Sequence, residues 1–450
     1  MRGLRLMRPV TGDFSEIYRS EQSSRKLYPD TAPPFSPARR LRMDFMNIRC
    51  QPDAPPKSAR RCWITVAAFL KLGCTSFGGP VAHLGYFREE FVVKRRWLGE
   101  EAYADLVALC QFLPGPASSQ LVFALGMRQA GLAGALLASL CFTLPSAVLM
   151  IFFAYGVGQF GARGEAGWLH GLKLAAVAVV AQAAWGMGKK LCPDRARLLL
   201  ALAAALGVLL TSGAWAQVGV IVLGGFAGWC LYRKELTEGQ ALPAGLNRGH
   251  VLAAGALLVF AGLLVALPVL VAATGSKELA VFDSFYRAGS LVFGGGHVVL
   301  PLLRAELVPV GWLGDEAFLA GYGAAQAIPG PLFTFSAYLG TVIQGGEYAW
   351  LGGLWALLGI FLPAWLLIGG ALPFWECLRN RGWTRAALRG ANAAVVGVLL
   401  AALYDPVCRE GLRGPLDVVL GLAAYAALEF WRIPSWALVA SLAILCAIIY

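Results

Sequence analysis

The segment FLKLGCTSFGGPVAHLGYFREE, residues 69–90, is written again as FYRAGSLVFGGGHVVLPLLRAE at residues 285–306. Each copy runs on into a second shared phrase, WLGEEAYADLVALCQFLPGP from Trp97 to Pro116 and WLGDEAFLAGYGAAQAIPGP from Trp312 to Pro331. A third echo follows, LCFTLPSAVLM at Leu140–Met150 against LGIFLPAWLLI at Leu358–Ile368. A chain that repeats its glycine pair and its Pro-Gly-Pro in order must build the same unit twice. Paired, interrupted segments at corresponding positions are the pattern of a membrane transporter built from two repeats.

Composition fixes the solvent. The chain is 58% hydrophobic and 14% charged, with a mean hydropathy of +0.63, outside the range of soluble domains. Apolar runs long enough to cross a bilayer recur, as at Gly134–Tyr155, Val251–Ala273 and Leu351–Leu372. The 54 glycines and 24 prolines are tolerated in membrane helices where neighbours or cavities satisfy the freed backbone groups. The expected fold is an all-α polytopic membrane protein with two homologous repeats, Gly/Pro-broken helices and one linking span. The expected boundaries are a basic, disordered tail at 1–60, a first repeat at 61–235, a linker with an unpaired span at 236–278 and a second repeat at 279–450.

Of the net charge of +12, residues 1–61 carry +7. The tail is polar, aperiodic and lacks the apolar core of a signal peptide. Met43 and Met46 sit near its end, so part of the tail is expected to be an over-called start. The ten cysteines lie mostly in apolar runs without a C-x-x-C, and the four histidines are scattered. They read as packing residues, with no metal site and no cofactor expected.

Loop charges indicate how the repeats face. Arg88, Lys94, Arg95 and Arg96 follow the first broken segment, while only Arg304 follows the second. The connection around 161–168 holds Arg163 alone, and its counterpart holds Arg379, Arg381, Arg385 and Arg389. Under the positive-inside rule equivalent loops then lie on opposite sides, so the repeats are expected to be inverted.

Candidate site residues come from the interruptions. Gly78-Gly79 before Pro80, and Gly294-Gly295-Gly296, sit in the middle of apolar runs. Such breaks leave unpaired N–H groups at a helix start, where the dipole favours an anion. Pro114-Gly115-Pro116 and Pro329-Gly330-Pro331 are expected to act likewise. The bland alternative is that the glycines only let helices pack closely. Lys71 and Arg287 occupy equivalent positions before the glycine pairs, where a cation is costly enough to need a role in anion contact or in snorkelling. Gln111 and Gln326, three residues before each Pro-Gly-Pro, and Ser118, Ser119, Thr334 and Ser336 after them, are candidate donors or helix caps. Asp105 has no acidic counterpart in the second copy; a buried carboxylate can relay protons, or it can pair with Lys71 or an arginine. Arg88 with Glu90, and Arg304 with Glu306, read as interfacial pairs.

The F-x-x-x-G-x-x-x-F-G-G pattern, the W-L-[GS]-[DE]-E phrase and the P-G-P, each present twice, resemble the chromate ion transporter superfamily in its long, two-domain bacterial form. The resemblance spans residues 61–450. It implies a multi-pass protein of the bacterial cytoplasmic membrane that exports chromate using the proton-motive force and confers chromate resistance. Carried over by motif, it marks Phe77, Gly78, Gly79, Pro114, Gly115 and Pro116, with Phe293, Gly294, Gly295, Pro329, Gly330 and Pro331. Gly296 replaces Pro80 in the second copy. Chromate and sulfate are both tetrahedral dianions, so the residues alone reach only an oxyanion, and a sulfate transporter remains the alternative. A membrane-embedded enzyme is a distant third, since no metal-ligand motif or phosphate loop occurs. Expected partners are the oxyanion and the bilayer, with no nucleic acid and with a homodimer left open.

Overall fold

The computed structural model describes residues 58–160, 167–211, 214–232, 248–292, 296–375 and 382–450, all within one compact unit. The basic tail, Phe293, Gly294, Gly295, Arg163, Arg379 and Arg381 lie outside the described residues.

Among the described residues every element is helical. The first half contains α1 (Ser58–Thr75), α2 (Gly79–Arg88), α3 (Glu100–Phe112), α4 (Ala117–Phe160), α5 (Gly167–Leu191), α6 (Arg195–Leu210) and α7 (Ala214–Tyr232). A linking helix, α8 (Arg248–Thr274), follows. The second half repeats the order: α9 (Lys277–Leu291), α10 (Val299–Leu307), α11 (Asp315–Ala327), α12 (Phe335–Gln344), α13 (Ala349–Ala371), α14 (Gly382–Ala402), α15 (Pro415–Glu429) and α16 (Ser435–Ile449).

Among the described residues five stretches are long and apolar enough to cross a membrane: Ala117–Gly156, Gly167–Leu191, His250–Thr274, Ala349–Phe374 and Arg385–Gly411. α8 makes the case for lipid most directly. Leu252, Leu258 and Val265 are exposed on a helix with no charge between His250 and Thr274. An apolar helix bare on most of its circumference is stable only in hydrocarbon. The protein is a multi-pass membrane protein.

α4 cannot be one rod. Its 44 residues would reach roughly 66 Å at 1.5 Å per residue, about twice the bilayer core. The backbone leaves helical geometry at Ala130 and Gly131, and the two arms fold back on each other. A Cβ on Gly126 would lie 2.5 Å from the Gly134 carbonyl oxygen, a distance no straight helix allows for residues eight apart. In the second half α12 and α13 form the matching hairpin across Gly345 and Gly346, both at positive φ, and Gly340 backs onto Gly352.

The halves are interleaved. α14 packs between α6 and α7 of the first half, while α5 packs against α15 and α16 of the second. Glycines permit both crossings: a Cβ on Gly390 would strike the backbone of Gly224 and Gly228, and one on Gly171 the Leu442 carbonyl. Side chains are exchanged in the cores too. Ala147, Met150 and Ala154 of α4 join the cluster around Phe285, Phe318 and Phe335. Ile368, Ala371 and Trp375 join Phe69, Phe87, Phe91 and Phe142. Without a hydrophobic drive between helices in lipid, such close packing of small residues is the principal adhesive.

Candidate functional site

α1 ends at Thr75, and the chain turns through Ser76 and Phe77 before α2 restarts at Gly79. Gly78 has φ of 96° and Gly79 φ of 74°, a left-handed stretch that disfavours any residue with a Cβ. In the second half the helix ends at the equivalent point, with Val292 extended after α9. Each interruption is therefore set by the repeated phrase.

The Pro-Gly-Pro turns reach across to these breaks. Gly115 N–H donates to the Val292 carbonyl at 2.6 Å, and Gly330 N–H donates to the Ser76 carbonyl at 2.9 Å. Ser76 and Val292 are themselves equivalent in the repeat. Each turn thus satisfies a carbonyl orphaned where the other half's helix ends. The sequence reading expected these turns to present bare amides to an anion. The glycine amides are instead consumed in fastening the halves, and prolines 114, 116, 329 and 331 have none to offer.

The turns also press on the proline-bearing helices of the opposite half. A Cβ on Gly330 would lie 2.6 Å from Ser146 Oγ, and one on Gly115 would lie 3.5 Å from Ala364 Cβ. Ser146 and Ala364 both follow the proline of the third repeated phrase, Pro145 and Pro363. Within each half, Gly73 lies against the Phe142 carbonyl and Gly289 against the Ile360 carbonyl. The three repeated phrases therefore converge on one region.

Around that region several buried polar atoms have no hydrogen-bond partner among the described residues: Ser76 Oγ, Ser119 Oγ, Gln120 Oε1 and Gln326 Nε2. A buried unsatisfied group costs about 1–3 kcal/mol; Ser76 Oγ, Ser119 Oγ and Gln326 Nε2 can donate to a ligand's oxygens, whereas Gln120 Oε1 can only accept. His83 Nε2 donates to the Ser76 carbonyl at 3.2 Å. Gln120 Nε2 donates to the Pro114 carbonyl at 2.7 Å. Phe77 is half-buried with its ring 6.0 Å from that of Trp436 on α16. Gln326 is half-buried, whereas Gln111 is exposed, and Asp105 is half-buried on α3. Thr334 and Ser336 donate their hydroxyls to the Pro331 and Phe333 carbonyls.

The equivalent cations are held by carboxylates. Lys71 Nζ lies 3.4 Å from Glu90, which also takes Arg95 at 2.7 Å. Arg287 lies 2.8 Å from Asp283 and 3.0 Å from Glu306. Lys71 is 59% exposed and Arg287 16%. Both are steps away from the glycine break along their helices, and these pairs join α1 to the segment that follows α2, and α9 to α10. Arg88 and Arg304 do not pair with the glutamates two positions on. They reach the next helix, Arg88 to Glu100 at 2.5 Å and Arg304 to Asp315 at 2.6 Å. Glu100 and Asp315 are again equivalent, so both halves carry the same brace. Sequence reasoning missed it because it paired by proximity along the chain, where residues two apart on a helix face different ways. It also missed Ser76 and Ser146, whose signal was their place inside or beside the repeated phrases.

The sequence profile described as "Chromate transporter" matches residues 63–229 and again 279–449. The chain belongs to the chromate transporter family. It is 29% identical over 366 residues to the chromate transport protein of Pseudomonas aeruginosa, covering 80% of this chain and 84% of that one. It is 27% identical over 395 residues to the chromate transport protein of Cupriavidus metallidurans, covering 86% and 92% respectively. No solved structure matches.

Proposed function

We propose that this protein carries chromate across the bacterial cytoplasmic membrane, outward and at the expense of the proton gradient, from a site at the two helix breaks. Family membership and the relatives' names support the substrate. One observation carries the location: each break is tied to the other half's Pro-Gly-Pro, with the unpartnered hydroxyls of Ser76 and Ser119 and the Gln326 amide close by along the same turns. The start of α2 adds free backbone N–H groups and a favourable dipole for a tetrahedral dianion. Gly78, Gly79 and, by equivalence, Phe293, Gly294 and Gly295 shape that approach. Lys71 and Arg287 act on the anion at a distance, through the helices they anchor.

The reading includes two repeats, 61–235 and 279–450, in opposite orientation, joined through α8. Such an arrangement lets the anion be reached from either side by rocking. An uncharged donor set discriminates poorly between chromate and sulfate, so sulfate is the competitor to test. In sealed proteoliposomes holding the purified chain, unlabelled chromate inside should drive uptake of labelled chromate. Cells expressing the chain should accumulate less chromate than cells without it. Counterflow with sulfate alone would transfer the assignment to sulfate, and no counterflow with either anion would sink the transport reading.

A further inference from the structure

The two repeats place opposite charge at equivalent positions. In the first half one buried carboxylate, Glu90, sits between two cations, Lys71 and Arg95. In the second half one guanidinium, Arg287, sits between a buried carboxylate, Asp283, and a half-buried one, Glu306. Lys71 matches Arg287 and Glu90 matches Glu306, but Asp283 stands where the first half has Ala67. The second cluster therefore holds one acidic group more than its cation neutralises.

That extra group is Asp283. Its side chain is 5% exposed. One oxygen meets Arg287, and the other, Oδ1, is buried with no hydrogen-bond partner among the described residues. Glu306 is 11% exposed, accepts a hydrogen bond from Ser284, and feels the charge of Asp283. A bare anionic oxygen among apolar neighbours is costly, and two carboxylates sharing one site relieve the cost when one takes a proton.

The surroundings supply no second cation for the pair among the described residues. α13, packed along α9, has no titratable side chain between Ala349 and Ala371. On α8 the ionisable groups, Arg248 and His250, lie in the first turn, and Phe260 accepts the hydroxyl of Tyr286. On α9, Lys277 donates to the Ile343 carbonyl, and Glu278 is exposed at the helix start. On α10, Arg304 is engaged by Asp315 and Asp405. Of the elements packed on α10, α14 carries Arg385 and Arg389 at its start, the latter over Tyr232 of α7.

We infer that Asp283 and Glu306, gripped by Arg287, form a proton-binding site that couples proton movement to anion transport. It rests on the transport reading and deepens it. The carboxyl pair takes up one proton when the site faces the acidic side and gives it back on the other, with no bond to the anion formed or broken. Because α9 runs directly into the second break, the proton's arrival and the anion's are linked, and each must change the other's affinity.

The test reads the proton directly. Infrared difference spectra of the reconstituted full chain, titrated between acid and neutral pH, should show a protonated carboxyl band. The band should vanish in Asp283→Asn or Glu306→Gln, and saturating chromate should shift its midpoint. Chromate-driven proton flux, followed with a trapped dye, should fall about tenfold in either variant, within the usual range of coupling factors. An unchanged band or unchanged proton flux in both variants overturns the proposal. Coupling to an imposed sodium gradient in place of a proton gradient overturns it too. Wild-type counterflow run alongside separates the outcomes: if it is present while the band is untouched by either substitution, only the proton site falls.

Discussion

Substituting Gly330 by alanine tests the fastening of the halves at its tightest point. Gly330 has φ of 107°, and holding a Cβ in left-handed geometry costs about 1–2 kcal/mol. The new methyl would also sit 2.6 Å from Ser146 Oγ and 3.1 Å from Ser146 Cβ. Relief by moving the turn would stretch the Gly330 N–H bond to the Ser76 carbonyl, so a further overpacking cost of about 1–3 kcal/mol is expected. Gly346 is the control. It has φ of 76°, and a Cβ added there would meet nothing within 4 Å, so Gly346→Ala carries the backbone cost alone. Thermal unfolding of the purified chain should therefore rank wild type above Gly346→Ala, and Gly346→Ala above Gly330→Ala. Ser146→Ala, which recreates the alanine found at the equivalent position 364, should recover part of the Gly330→Ala loss. Equal midpoints for the two glycine variants would refute the steric account, as would a Ser146→Ala background that recovers nothing.

Three further outcomes follow from the described contacts. Removing Arg287 leaves Asp283 and the largely buried Glu306 without their cation and should cost about 3–5 kcal/mol, whereas Lys71→Ala removes an exposed cation and leaves buried Glu90 still held by Arg95, so it should cost about 1 kcal/mol or less; unfolding midpoints of the two variants decide it, and equal losses would contradict the burial argument. Gly73→Ala places a methyl 2.7 Å from the Phe142 carbonyl oxygen, an immovable backbone atom, while Gly79→Ala meets nothing within 4 Å and carries only the backbone cost of its φ of 74°; Gly73→Ala should reduce folded yield more, as measured by size exclusion of extracted protein. Asp417 accepts from His170 at 2.9 Å, from the Tyr450 hydroxyl at 2.7 Å and from Arg413 N–H at 2.8 Å; Asp417→Ala orphans these donors, and hydrogen exchange along α16 should rise by about tenfold or more, the equivalent of losing one such bond.

The helices and the place of each interruption were legible because local chemistry decides them. Gly78 and Gly79 next to Pro80 stop α1 whatever surrounds them, and the apolar lengths of α8 and α13 require lipid. The site was legible only in outline. The repeated Pro-Gly-Pro advertised its importance, but what Gly115 and Gly330 bond to lies in the other half, and no spacing along the chain specifies a partner across the molecule. The same holds for Arg88 and Glu100, whose pairing depends on how α2 meets α3. Lys173, Glu316 and Asp417 went unread altogether, and His170 was read only as a packing residue: Lys173 meets Glu316 at 2.7 Å across 143 residues, and lone polar residues in apolar helices carry no such address.

The crossed bonds from Gly115 to Val292 and from Gly330 to Ser76 make each half a structural subunit of the other. Expressed as two separate polypeptides, the halves would each expose a frayed helix end and an unfilled turn to hydrocarbon, and mutual capture would be the cheapest remedy. Severing the connection near α8 should then yield a noncovalent pair rather than two independent pieces.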